Sequence, residues 1–291
     1  MPDQLIKPVL KHETLVKDIK EASAEQEEFH LWWLGQSGFL LQWQGKHILI
    51  DPYLSDSLTK KYAHTDKPHT RMTELIVDPS RLNFIDIVTS SHNHTDHLDE
   101  ETLIPLIISN PGIKFIIPEA NRSFVTNRIG SEYNFPIGLN DDEQVIIDGF
   151  SIAGVPAAHE DLERDERGQC KFLGYIFQFG PYTVYHSGDT ILYEGIENVL
   201  TNFNIDVAIL PINGKDPNRK VAGNLNAAEA AALGKAIYAR TVIPCHYDMF
   251  TFNTADPAEF IREAEKIGQP YDVLQAGERW SSLRLRLDLQ I

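Results

Sequence analysis

Apolar and polar positions along this chain change rhythm several times. Leu15, Val16, Ile19 and Ala22 recur at helical spacing, and the texture then turns to short apolar runs at 29–34, 38–43 and 46–50, separated by Gly35-Gln-Ser-Gly38 and Gln44-Gly45. Apolar residues every three to four positions give a helix one buried face, whereas short β-branched and aromatic runs bounded by glycine make strands. The pattern predicts an N-terminal helical segment over residues 1–28, packed on the core or on a partner subunit, and a single domain over 29–291 that opens with a β-meander. Residues 53–82 form a polar connection without a period, carrying Lys60, Lys61, His64, His69 and Arg71. Connections of that length are lids, binding loops or short helices; His64 and His69 read as plain surface histidines.

Beyond it, 85–88 reads as a strand, 100–109 as a helix, 114–117 as a strand and 119–129 as a helix. Runs 144–147 and 150–155 flank Asp148-Gly149, a strong hairpin turn. Strands at 172–179 and 183–186 pair through Gly180-Pro181. A helix over 191–203, a strand at 207–210, a helix over 227–238 behind Asn226 as N-cap, and a strand at 241–244 follow. A helix over 257–267 and strands at 273–275 and 283–287 close the pattern. Strands and helices alternate in two halves, each beginning with antiparallel strands, which defines an α/β protein.

Candidate chemistry concentrates after the run at 85–88. Residues 89–99 read Thr-Ser-Ser-His-Asn-His-Thr-Asp-His-Leu-Asp, placing His92, His94, Asp96 and His97 within one short loop. A β-branched run ending in a polar loop is a buried strand that delivers side chains at its carboxyl edge, where open α/β sheets place their sites. His92 and His94, two apart on extended backbone, point the same way. A metal ion needs imidazoles and carboxylates converging at about 2.0–2.2 Å, and this loop can supply four such groups. The plain alternative is a solvated, histidine-rich loop.

The His-x-His-x-Asp-His loop resembles the hallmark of the metallo-β-lactamase superfamily. The resemblance implies further ligands downstream, and the chain has His159 after Val155-Pro-Ala-Ala, Asp189 in His186-Ser-Gly-Asp-Thr190 and His246 after Val242-Ile-Pro-Cys. It also implies a four-layered αββα sandwich with the site at one edge. By motif position, His92, His94 and His159 would hold one divalent ion, Asp96, His97 and His246 a second, with Asp189 bridging; zinc and manganese both suit these donors. A water shared by two such ions loses its proton near neutral pH, and Asp96 would carry the proton to the leaving group. Asp51, at the end of the third strand, would orient a ligand imidazole or serve as a turn residue. His186 would brace a ligand or sit as an ordinary core histidine.

Segments 71–79, 186–190 and 243–257 are similar to the L-ascorbate-6-phosphate lactonase branch of that superfamily, which makes Arg71 a candidate substrate contact. Lys215, Arg219 and Lys220 could meet a phosphate or form a solvated loop. The branch implies a hydrolase opening a lactone of a small sugar acid, phosphorylated or not. The alternatives are a metal-dependent phosphodiesterase or phospholipase-D-like hydrolase and, last, a metal-binding protein without catalysis.

Composition narrows the partners. With 291 residues, 42% of them hydrophobic, the chain can bury a sizeable core. A net charge of −16 repels polyanions and argues against nucleic acid, leaving a small-molecule substrate. No run approaches the roughly 20 apolar residues of a membrane span. Only Cys170 and Cys245 are present, so no disulfide framework is expected, and the chain reads as cytoplasmic. Apolar faces that the pattern leaves unassigned allow a homo-oligomer.

Overall fold

Two β-sheets meet face to face in the computed structural model, which describes residues 4–216 and 223–287. Arg219 and Lys220 lie outside the described residues. The first half supplies β1 (His30–Trp33), β2 (Phe39–Trp43), β3 (Lys46–Ile50), β4 (Ile87–Thr89), β5 (Lys114–Pro118) and β6 (Ile137–Leu139). The second supplies β7 (Gln144–Ile147), β8 (Phe150–Pro156), β9 (Leu173–Phe179), β10 (Tyr182–His186), β11 (Val207–Pro211) and β12 (Thr241–Cys245), and β13 (Arg279–Ser281) returns to pair with β1. The spatial orders are β13-β1-β2-β3-β4-β5-β6 and β12-β11-β10-β9-β8-β7. Strands β1 to β3 are antiparallel and β3 to β6 parallel. Likewise β7 to β10 are antiparallel and β10 to β12 parallel.

The inner faces meet through aromatic rings. Phe29 packs edge-on against Phe179 at 5.2 Å, and Trp43 lies 5.8 Å from the same ring. Such pairs add about 0.5–1.5 kcal/mol each beyond the area they bury. Strands β4, β11 and β12 are buried at every position, which requires cover on both faces. Helices provide it: α1 (His12–Ala22), α2 (Ser57–Tyr62), α3 (Glu100–Ser109), α4 (Arg122–Ile129), α5 (Ile196–Leu200), α6 (Ala227–Ala236), α7 (Pro257–Ile267) and α8 (Leu283–Leu287). The fold is the α/β sandwich expected from the sequence, and Leu15, Ile19 and Ala22 of α1 are buried in the same core as both sheets. Among the described residues, no helix is long and apolar enough to cross a membrane.

Three expectations fail for local reasons. The helix over 191–203 shrinks to α5, because Gly195 sits at φ +95° and residues 191–193 are tied to the end of β8: the Ile191 amide donates to the Ala158 carbonyl at 2.7 Å and the Tyr193 hydroxyl to the Pro156 carbonyl at 2.7 Å. The last strand is Arg279–Ser281, not 273–275, and 283–287 is helical despite its alternating leucines. Alternation over five residues does not separate a strand from one turn of helix when Leu285 is buried and Leu283 faces out. Strand β6, Ile-Gly-Leu, is too short to show any period.

Candidate metal centre

Strands from both sheets deliver the candidate residues at the same edge. β4 ends at Thr89 and opens into the loop carrying His92, His94, Asp96 and His97, while β3 leads to Asp51, β8 to His159, β10 to Asp189 and β12 to His246. The loop after β4 is held from several sides. Ser90 Oγ donates to the His97 carbonyl at 2.6 Å, and Arg128 Nη1 from α4 donates to the carbonyls of Asn93 and Leu98 at 2.9 and 3.0 Å.

The four residues of the loop motif and the three implied by the resemblance stand together. Donor atoms of His92, His94 and His159 lie within 4.8 Å of one another, as do those of His92, His97 and Asp189 and those of Asp96, His97 and His246. Asp189 is central: its Oδ1 is 3.0 Å from His246 Nε2 and 3.3 Å from His97 Nε2, and its Oδ2 is 3.5 Å from His159 Nε2. Asp96 Oδ2 lies 3.7 Å from His97 Nε2 and 3.8 Å from His246 Nε2.

Within this cluster, His92 Nε2, His97 Nε2 and Asp189 Oδ1 are buried without a hydrogen-bond partner. Each such atom costs about 1–3 kcal/mol when left unsatisfied. A divalent cation satisfies all three, so the residues present fit a metal.

Electrostatics agrees. Burial alone would raise the Asp189 carboxyl, but the His246 and His97 imidazoles outweigh it and hold the group well below the usual carboxylate range. Burial would likewise lower His97, yet Asp189 and Asp96 hold it well above its ordinary value. His92 is pushed well down by burial and then by His97, and His94 is lowered by burial and then by His159. The last two are therefore neutral near neutral pH, which is the ligating form of imidazole.

The imidazole nitrogens that face away from the centre are anchored. His97 Nδ1 is 2.7 Å from Asp51 Oδ2, His159 Nδ1 is 2.8 Å from the Gly223 carbonyl, and His92 Nδ1 is 3.0 Å from Ser91 Oγ. Such contacts fix the tautomer and turn Nε2 inward. Asp51 also accepts from the Ser91 amide at 2.9 Å and from Ser91 Oγ. His186 touches none of the ligating rings. Its Nε2 donates to the Ser37 carbonyl at 2.9 Å and its Nδ1 accepts from the Gly188 amide at 3.2 Å, so it braces the turn that presents Asp189. That turn needs glycine: Gly188 has φ +59°, and a Cβ there would lie 2.7 Å from Ser91 Cβ and 2.9 Å from the Leu173 carbonyl. Gly188→Ala is expected to cost about 1–3 kcal/mol in urea unfolding and to reduce metal content by displacing Asp189.

Gln36 was invisible as a site residue in the sequence, where it reads as part of a turn. Its Nε2 donates to Asp96 Oδ2 at 2.8 Å and lies 3.0 Å from His246 Nδ1, held there by a backbone at φ +51°. The available signal was its position, at the end of an apolar strand on the edge that carries the ligands. A hydrogen bond to a charged group contributes about 1.5–3 kcal/mol. Gln36→Ala should therefore slow hydrolysis about 10–100-fold and also cost about 1.5–3 kcal/mol in urea unfolding, since the bond is made in the resting fold.

A cavity of about 370 Å³ opens over the centre. His94, Asp96 and Gln36 form its floor, and Lys61, Tyr62, Lys67, His69, Phe250 and Phe252 stand around it. His69 is thus no plain surface residue: its ring lies 4.5 Å from Tyr62, 5.3 Å from Phe250 and 5.2 Å from Phe252. Arg71, by contrast, does not line the cavity. Its guanidinium is buried, pairs with Asp56 at 3.1 Å and donates to the carbonyls of Ser55 and Thr73, which ties the 53–82 connection together. Lys215 lies outside the cavity too, 3.7 Å from Glu160.

Comparison with known proteins agrees with this geometry. A family model described as "Beta-lactamase superfamily domain" matches residues 30–246, from β1 through the last histidine of the centre. A metal-dependent hydrolase of Caldivirga maquilingensis is 27% identical over 241 residues, covering 82% of this chain and 90% of the relative. One from Methanosarcina mazei is 28% identical over 255 residues, covering 86% and 97%. Among solved structures, a metallo hydrolase of the hyperthermophilic archaeon Ignicoccus hospitalis superposes with a TM-score of 0.64 at 25% identity, over 87% of this chain and 98% of that one.

Proposed function

The chain belongs to the β-lactamase superfamily and is a metal-dependent hydrolase, and we propose that it opens an ester or lactone bond in a small acidic molecule seated in the cavity above the centre. Two divalent ions, zinc or manganese, would be held here, one by His92, His94 and His159 and the other by Asp96, His97 and His246, with Asp189 as the ligand they would share. When bound, the pair supplies Lewis acidity and activates water at neutral pH.

The chain's own residues do the rest. Asp96 faces the cavity with one oxygen held by Gln36, and despite burial the His97 and His246 rings keep it below its ordinary value. It is therefore ionised, ready to take a proton and pass it to the leaving oxygen. Asp51, Ser91 and the Gly223 carbonyl keep the imidazoles oriented throughout.

The observation that carries the reading is the division of the cavity wall. Tyr62, Phe250 and Phe252 line the cavity with aromatic rings set at angles to one another around His69, which can pack on a substrate ring, and Lys61 and Lys67 bring positive charge for a separate anionic group. A sugar-acid lactone bearing a phosphate or carboxylate has both parts. The same cations also favour a phosphodiester as the alternative. The test is a comparison of initial rates on sugar-acid lactones with and without a phosphate ester, L-ascorbate 6-phosphate included, and on bis(4-nitrophenyl) phosphate. Faster turnover of the phosphorylated lactone, with KM rising in Lys61→Ala, is expected. Turnover of the diester alone would replace the lactone by a phosphodiester.

A further inference from the structure

A second group of potential ligands lies at the other end of β1 from Gln36. His30, the first residue of β1, is wholly buried, yet neither of its ring nitrogens has a hydrogen-bond partner. Its Nε2 stands 3.3 Å from Glu25 Oε2 in a geometry that makes no hydrogen bond, and donor atoms of His30, Glu25 and Glu28 lie within 4.8 Å of one another. We propose that Glu25, Glu28 and His30 form a second divalent-metal site, best suited to zinc, that clips the connection leaving α1 onto the start of β1.

Several observations converge on it. His30 and Trp32 project to the face of the sheet under α1, where Trp32 Nε1 donates to Asp18 Oδ2 at 2.8 Å, so the imidazole points into the gap beneath the connection. The carboxylates are already oriented by β13. Arg279 Nη1 lies 3.4 Å from Glu25 Oε1, leaving Oε2 toward His30, and Ser281 Oγ donates to Glu28 Oε2 at 2.6 Å.

Gln42 stands directly opposite His30 in the β1–β2 pairing and is itself wholly buried with both carboxamide atoms unpartnered. Cross-strand neighbours have Cβ atoms about 4.5–5.5 Å apart, so this carboxamide is placed to take up the second ring nitrogen, as partners of metal-bound histidines do. An imidazole and two carboxylates are donor types that zinc takes, three of them leave one tetrahedral position for water, and the nitrogen donor favours zinc over magnesium or calcium. The Glu25 side chain is 42% exposed, and its Oε2 already stands 3.3 Å from His30 Nε2.

The test uses the full chain stripped by chelator, reloaded with excess zinc chloride, desalted and assayed for zinc per chain. Glu25→Gln with Glu28→Gln changes partly exposed side chains outside the hydrolytic centre. It is expected to hold one zinc fewer per chain than the wild type at an unchanged hydrolytic rate, and to lose part of the rise in melting temperature that zinc gives the wild type. A crystal of the zinc-loaded wild type should show anomalous density between His30 and the two carboxylates. Equal zinc contents in the two proteins, or a map without that peak, would overturn the site.

Discussion

Asp189→Ala should lower the hydrolytic rate by at least about 10³-fold and strip metal from the centre, because it is the carboxylate that stands among three of the candidate imidazole ligands. Its carboxylate lies within 3.0–3.5 Å of His246, His97 and His159. Removing it takes away both a ligand and the negative charge that offsets a divalent ion. Several kcal/mol of lost transition-state stabilisation, at about 1.4 kcal/mol per tenfold in rate, gives that magnitude. A second readout separates this from misfolding. In the metal-free protein burial opposes protonation of His97, and Asp189 is the largest of the charges that overcome it. The His97 imidazole of the variant should therefore titrate at lower pH by NMR, on a chain whose circular dichroism is unchanged. A variant that retains full metal content and rate would remove Asp189 from the centre.

Asp51 should show a different split. It is wholly buried and accepts from His97 Nδ1, the Ser91 amide and Ser91 Oγ, on a backbone at φ +42°. Asp51→Ala leaves those donors facing nothing and puts alanine in a left-handed conformation it disfavours. The expected loss is about 3–5 kcal/mol in urea unfolding of the metal-free protein. Asn tolerates the backbone and keeps the shape, so Asp51→Asn should fold. Without a carboxylate on His97 it should still lose about 10–100-fold in metal affinity, read by competition with a chromophoric chelator. Equal metal affinity in Asp51→Asn and wild type would reduce Asp51 to a turn residue.

What was legible in the sequence was whatever a short window determines. The α3, α7 and β3 boundaries match the expected ones because each has a clear apolar pattern with punctuation: for α7, Asp256 accepts from the Ala258 amide at the start and Gly268, at φ +65°, ends it. Of the seven candidate ligands, four are legible in one short loop behind an apolar strand, and the other three only through the family resemblance, although each also follows an apolar run that the fold aligns along the same edge. Their roles as ligands are the reading proposed above.

The rest depends on contacts between distant segments. Nothing in the 53–82 connection announces that Tyr62 and His69 wall the cavity, because they are placed by Phe250 and Phe252, far along the chain. The resemblance makes Arg71 a candidate substrate contact, whereas folding wedges it among Asp56, Ser55 and Thr73. Gln36 reads only as part of a turn because its partners, Asp96 and His246, lie 60 and 210 residues away.

The most direct test of hydrolysis at this centre is the initial rate on L-ascorbate 6-phosphate and bis(4-nitrophenyl) phosphate for chelated protein, before and after reloading with zinc or manganese, with His94→Ala as the blank. Hydrolysis of either substrate that disappears with the metal, returns on reloading and stays absent in His94→Ala is the expected result. A rate that survives chelation, or that His94→Ala shares with the wild type, would contradict it.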